Sequence, residues 1–533
     1  MARTQLKMVE GEVKDLNDRG HAGELRILAR GGLVSLIGSI SSSLLGFGFV
    51  VIIGRTLSIR QAGGLFEAIT IFTIFSYGSL LGADWGLLKM MPIFSGPRDR
   101  HFLSTIAICP AVLASVAIAA MIFLEATPIA TLVIHHGSVV AVVEELRILA
   151  PFLPLATVIT ITSAGVRVWS VEQSIFVQSL LVPAGRLILM GAFVVLGVSP
   201  FLGAISFAVP LAIGAMVGAA LLLSHLGSPI RGEKPLPASI ETFKPRRRIF
   251  VEFWKFSGIR SIAGVVQILL LYLDIVLLGI LGSSKQVAAY TVASRYILIG
   301  TFGLTSVGYA IAPQLSRLWA AGKTEAAHTV YRESSWWIMA ISWPMLILMA
   351  LFAPLLMSLV SQDYTTGAIA LEILAVAMLA NTGTGNNGIA ILMAGRNSAN
   401  LLIGTVAVIL NVALNVVLIP RFGPTGAAVA WSVSILFMAV AASLVLFRTI
   451  NVHPFGAGYW AVAFSAIASY GVLGTVIRFT LGATWTSGVI VLVFGSAFYL
   501  ASLTVFSRKN WLNLHELRMH LVRVVDGDPA GEP

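Results

Sequence analysis

The chain has a single cysteine, Cys109, in 533 residues, so it can form neither an internal disulfide nor a cysteine-built metal centre. Charge is also scarce: 11% of residues are charged against 57% hydrophobic, and the mean hydropathy is +0.90. A water-soluble fold of this length cannot be covered by so little polar surface. Histidines are few; His135-His136 falls in a predicted external segment, the rest are scattered, and no spacing suits a metal. There is no phosphate-binding glycine loop, nucleophile elbow or pair of carboxylates on a polar segment. No catalytic residue, metal or cofactor is therefore expected, and ATP-driven work would need another chain. Long external loops are missing too. The longest, near 125–147, is mostly apolar and leaves no room for the loop or domain in which membrane glycosyltransferases, ligases and polymerases hold their acceptors.

What fills the chain is a series of about fourteen apolar stretches, each near the roughly 20 residues a helix needs to cross the hydrocarbon core. A backbone group left unpaired in lipid is costly, and a continuous helix satisfies its own. The composition thus predicts an all-α polytopic membrane protein. Spans are expected near 32–54, 63–84, 102–124, 148–168, 175–197, 201–225, 257–281, 287–310, 335–360, 367–394, 398–419, 425–447, 457–478 and 486–506. With the N-terminus in the cytoplasm, about 26 of the 35 lysines and arginines fall in cytoplasmic segments, about six outside and about three at membrane depth. An even number of spans then puts both termini on the cytoplasmic side of a cell (inner or plasma) membrane. The net charge of +11 fits this topology and attraction to anionic lipid, and it does not point to nucleic acid, because no soluble domain carries a basic patch. The first thirty residues are polar, and no cleaved signal is expected.

Segments of the first half recur about 225 residues later, the mark of a repeated transporter architecture. The stretch 54–68, GRTLSIRQAGGLFEA, meets 279–293, GILGSSKQVAAYTVA, sharing Gly54/Gly279, Ser58/Ser283, Gln61/Gln286 and Ala68/Ala293, with Arg60 matched by Lys285. Further on, LRILA (146–150) meets LEILA (371–375), and Gly203-Ala204 meets Gly426-Ala427 after a two-residue drift. The chain divides accordingly. A cytoplasmic tail (1–31) precedes a six-helix N-lobe (32–226), a basic cytoplasmic linker (227–250) and a six-helix C-lobe (251–448). A last pair of spans (449–507) and a cytoplasmic amphipathic or disordered tail (508–533) follow. Lobes of six spans enter the membrane in the same direction and can rock about a central cavity.

The stretch 403–434, IGTVAVILNVALNVVLIPRFGPTGAAVAWSVS, resembles the polysaccharide flippases (Wzx-type) of the multidrug/oligosaccharidyl-lipid/polysaccharide (MOP) exporter superfamily. The matching positions are Asn411 and Asn415, Pro420 and Gly423, then the small residues Gly426, Ala427 and Ala428. The opening is similar as well, with Gly54-Arg55-Thr56-Leu57 followed by Gly63-Gly64. An arginine-aspartate pair expected in the first helix of peptidoglycan-precursor flippases is missing. The resemblance implies a flippase that moves an undecaprenyl-diphosphate-linked oligosaccharide from the inner to the outer leaflet by alternating access. A proton or sodium gradient is the candidate driving force, and a polysaccharide polymerase or ligase a candidate partner. Two alternatives remain: a multidrug or metabolite antiporter of the same superfamily, and an integral-membrane enzyme of polysaccharide assembly.

Ionisable groups at membrane depth mark the candidate site, because each costs about 2.5–3.5 kcal/mol at the bilayer centre unless it faces a cavity or a partner. Arg186 is the deepest cation by sequence, either a pyrophosphate or glycan contact or a structural arginine bonding carbonyls. Asp274 and Arg295 fall at similar depth on adjacent helices and are candidates to pair, as a static bridge or as an ion-coupling switch. Arg260, near Lys255 and the run Arg246-Arg247-Arg248, is placed either to receive a diphosphate or to snorkel to headgroups. Glu67 is a cavity carboxylate, a second ion-coupling candidate, or an interfacial residue. The run 381–388, NTGTGNNG, is either a broken helix whose Asn381, Asn386 and Asn387 line a cavity or a polar packing seam, and Asn411 and Asn415 divide in the same way.

Overall fold

The computed structural model describes residues 34–508, apart from residues 36, 95, 135–137, 198 and 230–245. Among them there is no strand. Twelve helices are long and apolar enough to cross a membrane, and two bent pairs raise the number to fourteen. In chain order these are α1 (Ile37–Thr56), α2 (Ile59–Ser79, bent by 44° into Ala83–Ile93), α3 (Pro97–Leu124), α4 (Val139–Val166), α5 (Val171–Leu196), α6 (Pro200–Leu226) and α7 (Arg246–Leu281). They continue as α8 (Ser284–Gly300, bent by 45° into Phe302–Gly308), α9 (Thr324–Leu351), α10 (Gln362–Met393), α11 (Asn397–Phe422), α12 (Pro424–Ile450), α13 (Ala457–Leu481) and α14 (Trp485–Phe506). The protein is a multi-pass membrane protein of two helical lobes, α1–α6 and α7–α12, with α13 packed on α9 through Trp336, Met339, Ala461 and Val462, a cluster that α14 joins through Leu503 and Phe506.

Some helices extend beyond their apolar runs. Helix α7 starts at Arg246 instead of near residue 257, so the arginine run 246–248 forms a helical first turn, with Arg248 bonded to Glu252 at 3.0 Å. The expected external loop near 125–147 is helical over Ala126–Val133 and again from Val139. Hydropathy locates the part of a helix that lies in lipid, whereas backbone hydrogen bonding continues until a cap or a breaker ends it. The tail after residue 508 lies outside the described residues, as does most of the expected linker.

The repeat seen in the sequence corresponds to a repeated physical device. Ser58 caps the start of α2 and Ser283 the start of α8, and in each case the glutamine three residues on, Gln61 or Gln286, returns its side-chain oxygen to the serine N–H at 3.1 Å. Leu146, Leu149 and Ala150 are buried in the N-lobe just as Leu371, Leu374 and Ala375 are in the C-lobe. Helix α10 breaks after Gly383, with Gly385 at φ +72°. The backbone freed there is bonded from neighbouring helices: Tyr331 Oη donates to the Thr384 carbonyl at 2.7 Å.

Candidate functional site

The two lobes meet along α2, α7 and α8, and the seam is tight at both ends. At the end carrying the α1–α2 and α7–α8 turns, a Cβ on Gly63 would run into the carbonyl of Ser284. Arg55 donates across the seam to the carbonyl of Leu359 at 3.0 Å from Nε and 2.7 Å from Nη2. Glu67 lies just inside this closure, fully buried against Gly279, and neither carboxylate oxygen has a hydrogen-bond partner. Glu145, reached from α4, is 1% exposed and leaves Oε2 without a partner. It borders a cavity of about 550 Å³ shared with Arg60, Gln61, Ser138, Ser284 and Lys285. The paired repeat positions Arg60 and Lys285 thus converge on one vestibule.

Midway along the seam, Asp274 of α7 is 1% exposed and accepts from Tyr290 Oη at 2.8 Å and from Asn415 Nδ2 at 2.7 Å. Asn415 also donates to Asn411 Oδ1 at 3.0 Å, which leaves Asn411 Nδ2 and Asn415 Oδ1 unpartnered in a fully buried cluster. The expected pair of Asp274 with Arg295 is not formed. Five residues separate Tyr290 from Arg295, which places them about 140° apart around α8, so only one of them can face Asp274. Replacing Asp274 by Leu should strand the hydroxyl of Tyr290 and the amide of Asn415 and cost about 2–5 kcal/mol, checked by thermal unfolding in detergent. Asp274→Asn, which keeps one acceptor, should cost less.

Arg295 instead lies 5.4 Å from the ring centroid of Tyr272 and lines a cavity of about 40 Å³ with Tyr290, Ser294 and Trp431. Arg186 belongs to the other lobe, on α5. It donates Nε to the Phe207 carbonyl at 3.0 Å, and its guanidinium sits 3.6 Å over the Phe207 ring. Helix α5 widens into a π turn over Phe176–Leu181, next to Pro183, whose missing N–H breaks the regular ladder before Arg186. Among the described residues, neither Arg186 nor Arg295 has a carboxylate within 4 Å. Each lobe thus contributes one guanidinium without a carboxylate partner, Arg186 against Phe207 and Arg295 against Tyr272. Phe47 of α1 and Tyr296 of α8 pack across the seam, with ring centroids 4.7 Å apart.

The asparagines of the α10 break are spent on neighbouring helices. Asn386 donates to the Leu304 carbonyl at 2.9 Å and Asn387 to the Ala439 carbonyl at 3.0 Å. Asn381 is half-buried, with its amide 3.8 Å from the Met378 sulfur. At the opposite end of the seam, Gly82 and Gly86 of α2 press on Ser257 and Phe253 of α7. The bend in α2 there holds Leu81 at φ +51°, a conformation that a branched side chain disfavours, so packing rather than local preference maintains it. Arg260 sits 4.1 Å over the Trp85 ring in the same region. Sequence reasoning missed Tyr290, Tyr272, Glu145 and Trp85. Aromatic and loop-assigned positions in an apolar chain carry no distinguishing signal until the helices are packed.

Two repeated helical lobes meeting along a seam that holds buried, unpaired charges define a membrane transporter. The chain belongs to the polysaccharide biosynthesis protein family, whose model matches residues 28–319, and the MatE model matches residues 261–420. Among solved structures it is similar to the lipid II flippase MurJ in an inward closed conformation, with a TM-score of 0.72, 12% identity, and coverage of 90% of this chain and 99% of that one. It is also similar to an inward-facing multidrug resistance MATE family transporter of the MOP superfamily (TM-score 0.62, 14% identity, 79% and 98% coverage). A third is a MOP superfamily transporter from Pyrococcus furiosus (TM-score 0.53, 13% identity, 80% and 95% coverage). No curated protein matches the sequence. The fold is that of the MOP superfamily transporters.

Proposed function

We propose that the protein is a flippase that carries an undecaprenyl-diphosphate-linked oligosaccharide from the inner to the outer leaflet by alternating access, without covalent chemistry. The observation that carries this is that Arg186 of one lobe and Arg295 of the other lie against the aromatic rings of Phe207 and Tyr272, with no carboxylate within 4 Å of either among the described residues. A guanidinium kept unpaired at membrane depth is costly, and an anionic headgroup that bonds both forks offsets that cost. The diphosphate supplies the charge, the glycan occupies the space opened when the lobes part, and the prenyl chain stays in lipid. Asp274, with Asn411 and Asn415, is the candidate for coupling to a proton or sodium ion, and Glu67 is the second. Both chain ends lie in the cytoplasm in this scheme, and a polymerase or ligase takes up the product.

The test is transbilayer movement of a fluorescent undecaprenyl-diphosphate oligosaccharide in proteoliposomes, with and without proton and sodium gradients. Movement by the wild type is expected. If no movement occurs under any gradient while a cationic drug is exchanged, the protein is an antiporter of the same superfamily. Asp274 and the MatE match over 261–420 are the features that favour that second reading.

A further inference from the structure

At the inner end of the seam the two lobes exchange cations. Lys89 of α2 places its ammonium 3.9 Å from the ring centroid of Phe256 on α7, and Arg260 of α7 places its guanidinium 4.1 Å over Trp85 of α2. Each lobe thus lends a cation to an aromatic ring of the other. Lys89 is exposed and Trp85 is 44% exposed, so both contacts can be approached from the inner headgroup region. Neither cation has a carboxylate within 4 Å among the described residues; Asp84 lies within electrostatic reach of Arg260 without bridging it. Beside them, Ser257 Oγ and Trp254 Nε1 are buried without hydrogen-bond partners. All four groups are cations or can donate a hydrogen bond, and they sit where Gly82 and Gly86 let the two lobes approach closely.

We propose that Lys89 and Arg260 form a clasp at the inner end of the seam that a diphosphate headgroup unlocks. The two cations exchange their rings for phosphate oxygens, and the parted helices offer Ser257 and Trp254 as further donors. An exposed cation–π contact is weaker than a charge-assisted hydrogen bond to phosphate, so the exchange runs toward the open seam. A diphosphate has enough charge and enough oxygens for both cations at once, whereas a monophosphate engages them one at a time. The ligand is then also the key, and the inner face opens only when cargo is present. This rests on the flippase reading for the identity of the cargo, but the clasp can be tested without transport.

The test uses the full chain in phosphatidylcholine nanodiscs, in a Cys109→Ser background, with spin labels at the exposed positions Arg98→Cys and Lys323→Cys, one on each lobe. Geranylgeranyl diphosphate should lengthen the distance between the labels, and geranylgeranyl monophosphate should not. Inorganic diphosphate producing the same shift assigns recognition to the headgroup alone and supports the clasp. The variant Trp85→Leu/Phe256→Leu should be open without ligand and should bind the diphosphate roughly tenfold tighter, because its cations start free. Lys89→Gln/Arg260→Gln should also be open without ligand but should no longer bind it. The clasp is overturned if diphosphate leaves the distance unchanged, if monophosphate acts equally well, or if the aromatic double variant binds no tighter than the wild type. Opening by diphosphate in a protein that moves no lipid-linked glycan would sink the flippase reading and leave the clasp standing; transport without opening would do the reverse.

Discussion

Replacing Arg186 and Arg295 together by Gln should reduce transfer of a diphosphate-linked oligosaccharide by about 100-fold or more, because each hydrogen bond to a charged partner contributes about 1.5–3 kcal/mol and two are removed. The single variants should not be equivalent. Among the described residues Arg295 lies against the Tyr272 ring without a hydrogen bond, so Arg295→Gln should weaken transport with little effect on folding. Arg186 also holds the Phe207 carbonyl and lies on its ring, so Arg186→Gln should lower thermal stability as well. Arg186→Lys separates the two contributions. It keeps the charge and loses the planar fork, and so should recover part of the transport but little of the packing. The measurement is initial transfer rate in proteoliposomes against reconstituted protein, with unfolding temperatures taken in parallel. A double variant that folds and transports at the wild-type rate removes the anion-binding role of both residues.

The overall architecture was legible because lipid imposes it. The apolar runs could be counted, and the resulting fourteen spans agree with the helices once the bends in α2 and α8 are taken as parts of single spans. The repeat was legible because it is carried by turn chemistry. Ser58 with Gln61 and Ser283 with Gln286 are needed to start helices at equivalent places, and capping requires particular side chains where burial accepts many. The candidate site was only half legible. That Asp274, Glu67 and Arg186 are special follows from the cost of charge in lipid, but which groups they touch depends on rotation about helix axes. A rotation of about 140° around α8 decides whether Asp274 faces Arg295 or Tyr290. The break in α10 was visible as Gly and Asn, yet whether its amides line a cavity or tie helices together depends on Leu304 and Ala439, carbonyls that no sequence pattern marks. Glu145 was assigned to a loop because an apolar loop and the first turns of a helix have the same composition.

Gly63→Val should abolish turnover while leaving each lobe folded. The obstacle a Cβ meets at Gly63 is the backbone of Ser284 in the other lobe, which cannot rotate away as a side chain could. The overlap exists only when the lobes are closed at this end, so its cost falls on one conformation and not on folding. A penalty of about 3 kcal/mol on that state lowers its population about 150-fold relative to the open one, and a carrier that cannot close one face cannot complete its cycle. Gly64→Ala provides the control within the same helix. Its Cβ meets the Val142 side chain at 2.9 Å, inside the N-lobe, so the cost there is to packing and does not distinguish closed from open. Thiol labelling of Ser284→Cys in a Cys109→Ser background reads the difference, since Ser284 is buried, 2% exposed, while the lobes are closed at this end. Faster labelling in Gly63→Val, unchanged labelling in Gly64→Ala and loss of transport only in the former are expected. Wild-type transport by Gly63→Val would show that the lobes do not need this contact to close, and the alternating movement would then have to run about a different seam.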